Sequence, residues 1–211
     1  PLGTYLSGGL DSTILTYLVK PQHTWTVGFK ELNEFNWGKL AADDLGSKHH
    51  ETLVDKETFV NVAKKMIASR KEPLSVPNEV LIYLMTKNVR KKNTVVLSGE
   101  GADELFWGYD RIFKWANSSH KFSLEEFDKH YCYGSHKDNE VIDFALNKLN
   151  YKNPLDIVGH YFQTTHLQGL LRRLDNSTML CSVEARVPFV DHRLVELMAG
   201  TPFQWKMGNS F

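Results

Sequence analysis

The chain has 211 residues, 42% of them hydrophobic, with 25 Lys and Arg set against 25 Asp and Glu. That balance leaves no net field to draw nucleic acid or an anionic membrane surface, and the length suits one globular domain, or one and a half. Cys132 and Cys181 are too few for a disulfide scaffold and form no C-x-x-C pair, and no apolar run reaches the length of a membrane span. The expectation is a cytoplasmic protein with reduced thiols. Pro1 in place of an initiator methionine, with a strand starting almost at once, reads as a segment of a longer or processed chain.

Apolar runs of strand length occur at 2–6, 24–29 and 94–97, with a more polar candidate at 49–54. Helical patterns lie between them at 12–19, 36–45, 59–68 and 79–89. Such alternation predicts βαβ units and a parallel sheet, with every strand's C-terminal end on one edge, where ligands bind. Ser7 and Ser98 each follow a strand and are therefore expected to be neighbours in space. After Trp107 the strand signals fade, and residues 125–132, 140–149, 155–174 and 192–199 read as helices. The whole of 1–211 is read as one domain, the second half a helical layer on the sheet.

The most telling segment is Y-L-S-G-G-L-D-S at residues 5–12. A strand ends at Leu6 and runs through Ser7-Gly8-Gly9 into a helix whose unpaired N–H groups and positive dipole end face the turn. With the hydroxyls of Ser7 and Ser12 this makes a phosphate nest, and Asp11 stands where a cation could be held beside it. The same run also reads as a plain Gly-rich turn with Asp11 or Ser12 as N-cap. It is not a Walker loop, having no G-x-x-x-x-G-K-[ST] and no lysine for the terminal phosphates.

A second strand-to-glycine transition follows at residues 95–110, V-V-L-S-G-E-G-A-D-E-L-F-W-G-Y-D. Ser98, Gly99 and Gly101 could form another backbone cradle, and Glu100, Asp103 and Glu104 crowd the turn. Clustered acids beside phosphate suit Mg²⁺, which favours one or two carboxylates plus phosphate oxygens, with Asp11 and Asp103 the natural pair. Glu100 is placed to accept a proton. Alternatively, the acids simply favour the start of a helix. In the third motif, S-V-E-A-R-V-P-F-V-D-H-R-L-V-E at 182–196, Asp191 is a plausible N-cap. Glu184 and Arg186 could pair, with each other or with neighbouring groups, as a buried brace for the loop. The pair His49-His50 lies on a predicted strand and reads as structural.

These three motifs, in order, resemble the synthetase domain of class B asparagine synthetases, within the ATP pyrophosphatase superfamily. The segments T-V-G-F, L-G-S-K-H-H-E and E-P-L-S-V-P-N are similar to that family in the same order. The resemblance implies a three-layer α/β fold with a parallel sheet and a helical C-terminal half. It implies ATP and Mg²⁺ as cofactors. The implied reaction activates the side-chain carboxylate of aspartate as an acyl-adenylate, with pyrophosphate released, and ammonia then displaces AMP to give asparagine. Carried over residue by residue, Ser7, Gly8, Gly9, Asp11 and Ser12 would hold the pyrophosphate and its magnesium, and Leu6 and Val27 would border the adenosine. Ser98 and Gly99 would line the nucleotide, and Asp103 would join Asp11 at the metal. Glu100, Gly101 and Tyr109 would meet the acyl substrate, Glu100 as base for the ammonia, and Arg173 would stabilise charge on phosphate.

The match departs from the family at Trp107, where glycine is usual, and at Asp175-Asn176-Ser177-Thr178-Met179, where D-R-M-S-M is usual. Both leave the acyl substrate open, and so an amidating or ring-closing relative acting on another carboxylate stays as an alternative. Ring-closing relatives place tyrosine where this chain has Glu100. A non-catalytic nucleotide-binding module is a third reading. The resemblance further implies an N-terminal glutaminase domain in the parent protein as the source of ammonia, a lysine-bearing stretch beyond Phe211, and a possible homodimer.

Overall fold

The computed structural model describes residues 1–131, 139–146 and 151–207. Two compact units emerge from the contacts, Pro1–Glu100 with Leu171–Pro188, and Gly101–Leu170 with Phe189–Phe211.

The first unit is built on strands β1 (Leu2–Tyr5), β2 (His23–Gly28), β3 (Lys48–Leu53), β4 (Val95–Leu97) and β5 (Glu184–Arg186), in the order β3-β2-β1-β4-β5. Every pairing is parallel. Helices α1 (Leu10–Val19), α2 (Phe35–Asp44), α3 (Lys56–Arg70) and α4 (Glu79–Val89) fill the connections. The first four strands fall where the apolar runs predict them. β5 does not: E-A-R is three residues long with both charged side chains exposed, so only its pairing with β4 marks it as a strand. It is an edge strand, as is the more polar β3, and edges tolerate polar residues that central parallel strands do not.

Period-two alternation gives the sheet two different faces. On one, Tyr5, Trp25 and Val96 pack with Ile82, Met85 and Val89 of α4 and with Leu174 and Val183. On the other, α1 is anchored by polar contacts: the hydroxyls of Thr4 and Thr16, both fully buried, lie 2.9 Å apart. Thr16 also donates to the Ser12 carbonyl at 2.7 Å. This paired burial satisfies both hydroxyls and fixes α1, and hence its N-terminus, against β1. The histidine pair is divided between the faces. His49 Nδ1 meets Thr24 Oγ1 at 2.8 Å, while His50 stacks on Trp25 with centroids 4.1 Å apart. His50 Nε2 lies 3.0 Å from His23 Nδ1. A structural role for the pair follows.

The second unit is helical: α5 (Ala102–Phe106), α6 (Asp110–Ser118), α7 (Leu124–Tyr131), α8 (Asn139–Leu146), α9 (Pro154–Tyr161), the N-terminal part of α10 (Leu167–Met179), α11 (His192–Ala199) and α12 (Phe203–Met207). Its core is aromatic, with Trp107, Phe113, Phe127, Tyr161 and Phe162 among the buried residues. The single helix expected over 155–174 is interrupted by a π turn, Phe162–His166, between α9 and α10. Asp191 caps α11, accepting from Arg193 N at 3.0 Å, as the sequence predicts. Among the described residues no helix is long and apolar enough to cross a membrane.

Candidate active site

The first nest is assembled by β1 and α1. Leu6, 1% exposed, still donates to the Trp25 carbonyl at 2.8 Å, which holds the chain in the sheet until the turn begins. Gly8 then adopts φ +88°. A Cβ there would sit 2.4 Å from Trp37 Cβ and 2.7 Å from Gly38 N, so both the torsion and the space demand glycine. The N-cap of α1 is Gly9, without a side-chain cap, and neither Asp11 nor Ser12 fills that role as the plain-turn reading required. Both stand inside the first turn instead. The first backbone N–H groups of α1 have no intrahelical acceptor.

The hydroxyls organise the rim. Ser7 Oγ accepts from Gly9 N at 3.2 Å and lies 3.1 Å from Ser12 Oγ, and Ser12 Oγ donates to the Gly9 carbonyl at 3.1 Å. Val27, half-buried on β2, packs at the margin of the apolar cluster beneath the sheet.

The second loop runs against the first. β1 and β4 pair with Thr4 opposite Leu97. A Cβ on Gly99 would lie 3.3 Å from Ser12 N and 3.5 Å from Asp11 Cβ. The predicted neighbourhood of the two Ser-Gly turns is therefore present. Ser98 is 6% exposed, its N–H donating to the Arg186 carbonyl at 2.9 Å and its Oγ accepting from Glu100 N at 3.4 Å. Glu100 Oε1 takes a 2.5 Å charge-assisted bond from Arg173 on α10, two residues that are 73 apart in sequence. Side-chain exposure is 19% for Glu100 and 11% for Arg173. Arg173 Nε is buried with no hydrogen-bond partner among the described residues. Arg173 is further tied to its helix by Ser177, which donates to its carbonyl at 2.8 Å.

One expectation needs correction here. Glu184 and Arg186 do pair, at 2.8 Å, but both are exposed on the edge strand β5 and cannot act as a buried brace. Cys181 is half-buried in the first unit beneath the sheet, and burial pushes its thiol up to about 11. Cys132 lies outside the described residues.

The remaining predicted residues belong to the second unit. Gly101, at φ +94°, is the N-cap of α5, and a Cβ there would meet Val190 Cγ2 at 2.4 Å. Asp103 stands in the first turn of α5, where surrounding protein mass holds its carboxyl above the usual range although solvent still reaches it. Glu104, one position on, turns inward and is 1% exposed. It accepts a 2.5 Å bond from the hydroxyl of Tyr109, whose ring lies 5.4 Å from that of His166. Glu104 is legible in the sequence only as one of three clustered acids, and His166 not at all. The step of one residue from Asp103 already separates their helix faces, but nothing local announces His166. Among the described residues, no group of three His, Cys, Asp or Glu converges as a metal site.

Trp107 has φ +65°, which explains why glycine suits that position, and it is accommodated by packing. Its ring stacks on Phe113 at 5.1 Å, covers Gly159 and carries Lys206 Nζ 4.0 Å from its centroid. It is a core residue of the second unit. In the other divergent segment, Ser177 and Thr178 are fully buried and bond to helix carbonyls.

The asparagine synthase family profile matches residues 1–210. The chain belongs to the asparagine synthase family. Asparagine synthetase [glutamine-hydrolyzing] 3 of Bacillus subtilis is 27% identical over 98% of this chain and 40% of its own length. Asparagine synthetase [glutamine-hydrolyzing] 1 of the same organism is 36% identical over 52% of this chain and 18% of its own length. Asparagine synthetase [glutamine-hydrolyzing] of Bos taurus is 29% identical over 95% of this chain and 32% of its own. The chain thus spans well under half the length of these relatives. The chain has the family's synthetase domain, and its parallel sheet with flanking helices is the ATP pyrophosphatase fold.

Proposed function

We propose that this domain activates a carboxylic acid with ATP, releasing pyrophosphate, and passes the acyl group to ammonia. Aspartate is the proposed acid and asparagine the product. The supporting observation is the approach of two Ser-Gly turns at the C-terminal ends of β1 and β4, with the Glu100–Arg173 pair on the second of them.

The roles follow from chemistry. The N–H groups at the start of α1, with Ser7, Gly8, Gly9 and Ser12, cradle the leaving pyrophosphate, since a helix N-terminus offers donors and a positive dipole end. Leu6 and Val27 border the adenosine, and Ser98 and Gly99 line the nucleotide. A carboxylate oxygen attacks the α-phosphorus as the bond to pyrophosphate breaks. Ammonia then attacks the acyl carbon, AMP departs, and the nitrogen loses a proton to Glu100. Arg173 holds Glu100 in place. A buried guanidinium nitrogen without a partner fits an anion that arrives with the substrate, where it offsets developing charge.

Magnesium fits the donor set: Asp11 stands in the first turn of α1 beside a phosphate nest, and Mg²⁺ needs only one or two carboxylates when phosphate supplies the other oxygens. Bound there, it would neutralise phosphate charge. For Asp103 we propose the metal role, and for Gly101 and Tyr109 the acyl-substrate role, that the family resemblance implies. Together the two units form one synthetase domain in this reading, with a glutaminase domain of the parent protein as the source of ammonia.

The test uses the full-length protein with ATP, Mg²⁺, aspartate and ammonia. Asp11→Ala is expected to abolish ATP–pyrophosphate exchange. Glu100→Ala is expected to preserve exchange and slow amide formation. Amide synthesis unaltered by Glu100→Ala would remove the role given to it, and turnover with another carboxylate alone would replace aspartate as substrate.

A further inference from the structure

A polar chain through the aromatic core of the second unit joins Tyr109 to Glu104, His166 and Tyr131, which have no role in the reaction as proposed. Glu104 accepts from the Tyr109 hydroxyl at 2.5 Å. His166 Nε2 lies 3.4 Å from that hydroxyl and 3.7 Å from Glu104 Oε1, and its Nδ1 lies 2.8 Å from the hydroxyl of Tyr131. His166 ends the π turn Phe162–His166. Such turns insert a residue into a helix at a cost in hydrogen-bond geometry and recur at functional sites. Here the inserted turn brings one imidazole into contact with tyrosines from two other elements, each ring edge-on to it at 5.4–5.6 Å.

Tyr109, Tyr131 and His166 border a cavity of about 330 Å³, together with Arg111, Ile112 and Phe162. Mostly apolar walls with a few placed polar groups, at the small end of ligand pockets, suit a molecule of amino-acid size. We propose that His166 is a positioning residue for the acyl substrate, fixing Tyr109 and Tyr131 as the wall against which the acid is seated. This rests on the acyl-substrate role proposed for Tyr109. An imidazole with both nitrogens engaged cannot rotate without breaking two contacts, so it locks both tyrosine rings, and a locked wall spares the substrate the entropy of ordering it.

Kinetics of ATP–pyrophosphate exchange in the full-length protein test this. His166→Ala is expected to raise KM for aspartate about tenfold, the loss of one hydrogen bond's worth of seating, with KM for ATP within about twofold of the parent. His166→Gln should recover most of that loss, and Tyr131→Phe should reproduce it in part. An unchanged KM for aspartate in His166→Ala, or an equal rise for both substrates, would overturn the positioning role while leaving the proposed reaction intact. If His166→Ala fails to fold, Tyr131→Phe and His166→Gln carry the same comparison. If the parent shows no exchange with aspartate, the proposed reaction fails, and calorimetric titration with aspartate decides the positioning role. Binding that His166→Ala weakens supports it, and no binding to the parent refutes it.

Discussion

Two adjacent glycines of the nest have opposite tolerances. Gly8 is at φ +88°, and a Cβ there would approach Trp37 Cβ to 2.4 Å, Trp37 C to 2.5 Å and Gly38 N to 2.7 Å. The left-handed torsion alone costs about 1–2 kcal/mol for an L-residue. Forcing a methyl into backbone that cannot retreat adds roughly 1–3 kcal/mol. Gly8→Ala should therefore destabilise by about 2–5 kcal/mol. At roughly 2–4 °C per kcal/mol for a chain of this size, that lowers Tm by at least about 4 °C. Gly9 is at φ −67° and ψ 161°, and its added Cβ would meet only Ser7 Oγ, at 3.3 Å. Gly9→Ala should shift Tm by no more than a degree or two. Paired thermal melts, with ATP binding followed by calorimetry on each variant, make the comparison. Equal Tm values for the two variants, or ATP affinity unchanged in Gly8→Ala, would refute the argument that the turn's shape is set at Gly8 and read by phosphate.

Three further outcomes are expected. Removing Arg173 leaves a largely buried Glu100 unpaired, so Arg173→Ala should destabilise by about 3–5 kcal/mol in urea unfolding, whereas Arg173→Ala combined with Glu100→Gln should recover part of that. No recovery in the double variant would mean the pair is not coupled. His23, His49 and His50 are each held below the usual histidine value, chiefly by burial, with His23 and His50 also opposed by each other or by nearby lysines. The unfolded chain therefore binds more protons near its own histidine value, and stability should fall as pH drops from about 7 towards 5 and level off above it. Thermal melts across that range check the sign, and His50→Gln should flatten the slope. Cys181, with its thiol pushed up to about 11, should react slowly with a disulfide reagent at pH 8 in a Cys132→Ser background, and rapidly once urea is added. Rapid native labelling would contradict its burial.

The reach of the sequence depends on how local each determinant is. β1, β2 and β4 are apolar runs closed by glycine or serine, and each is legible without a partner. β5 is legible only through β4, because three residues with exposed charge carry no periodic signal. α6 escaped notice for lack of a start signal. Its N-cap is Tyr109 with no side-chain cap, although Ile112, Phe113 and Ala116 do supply its buried stripe. The π turn leaves no mark in hydrophobic spacing, so residues 155–174 read as one helix. At the site, the two Ser-Gly turns were legible because strand order in a parallel sheet sends both to one edge. Neither the contact of Glu100 with Arg173 nor that of Tyr109 with His166 is legible in the sequence, since each joins residues far apart in sequence through the packing of separate elements.

The central claim is cleavage of ATP between its α and β phosphates at the nest. Phosphorus NMR of the full-length protein with ATP, Mg²⁺, aspartate and ammonia measures it directly. The account predicts AMP and pyrophosphate in equal amounts, with asparagine matching them. ADP and inorganic phosphate as the products would contradict it.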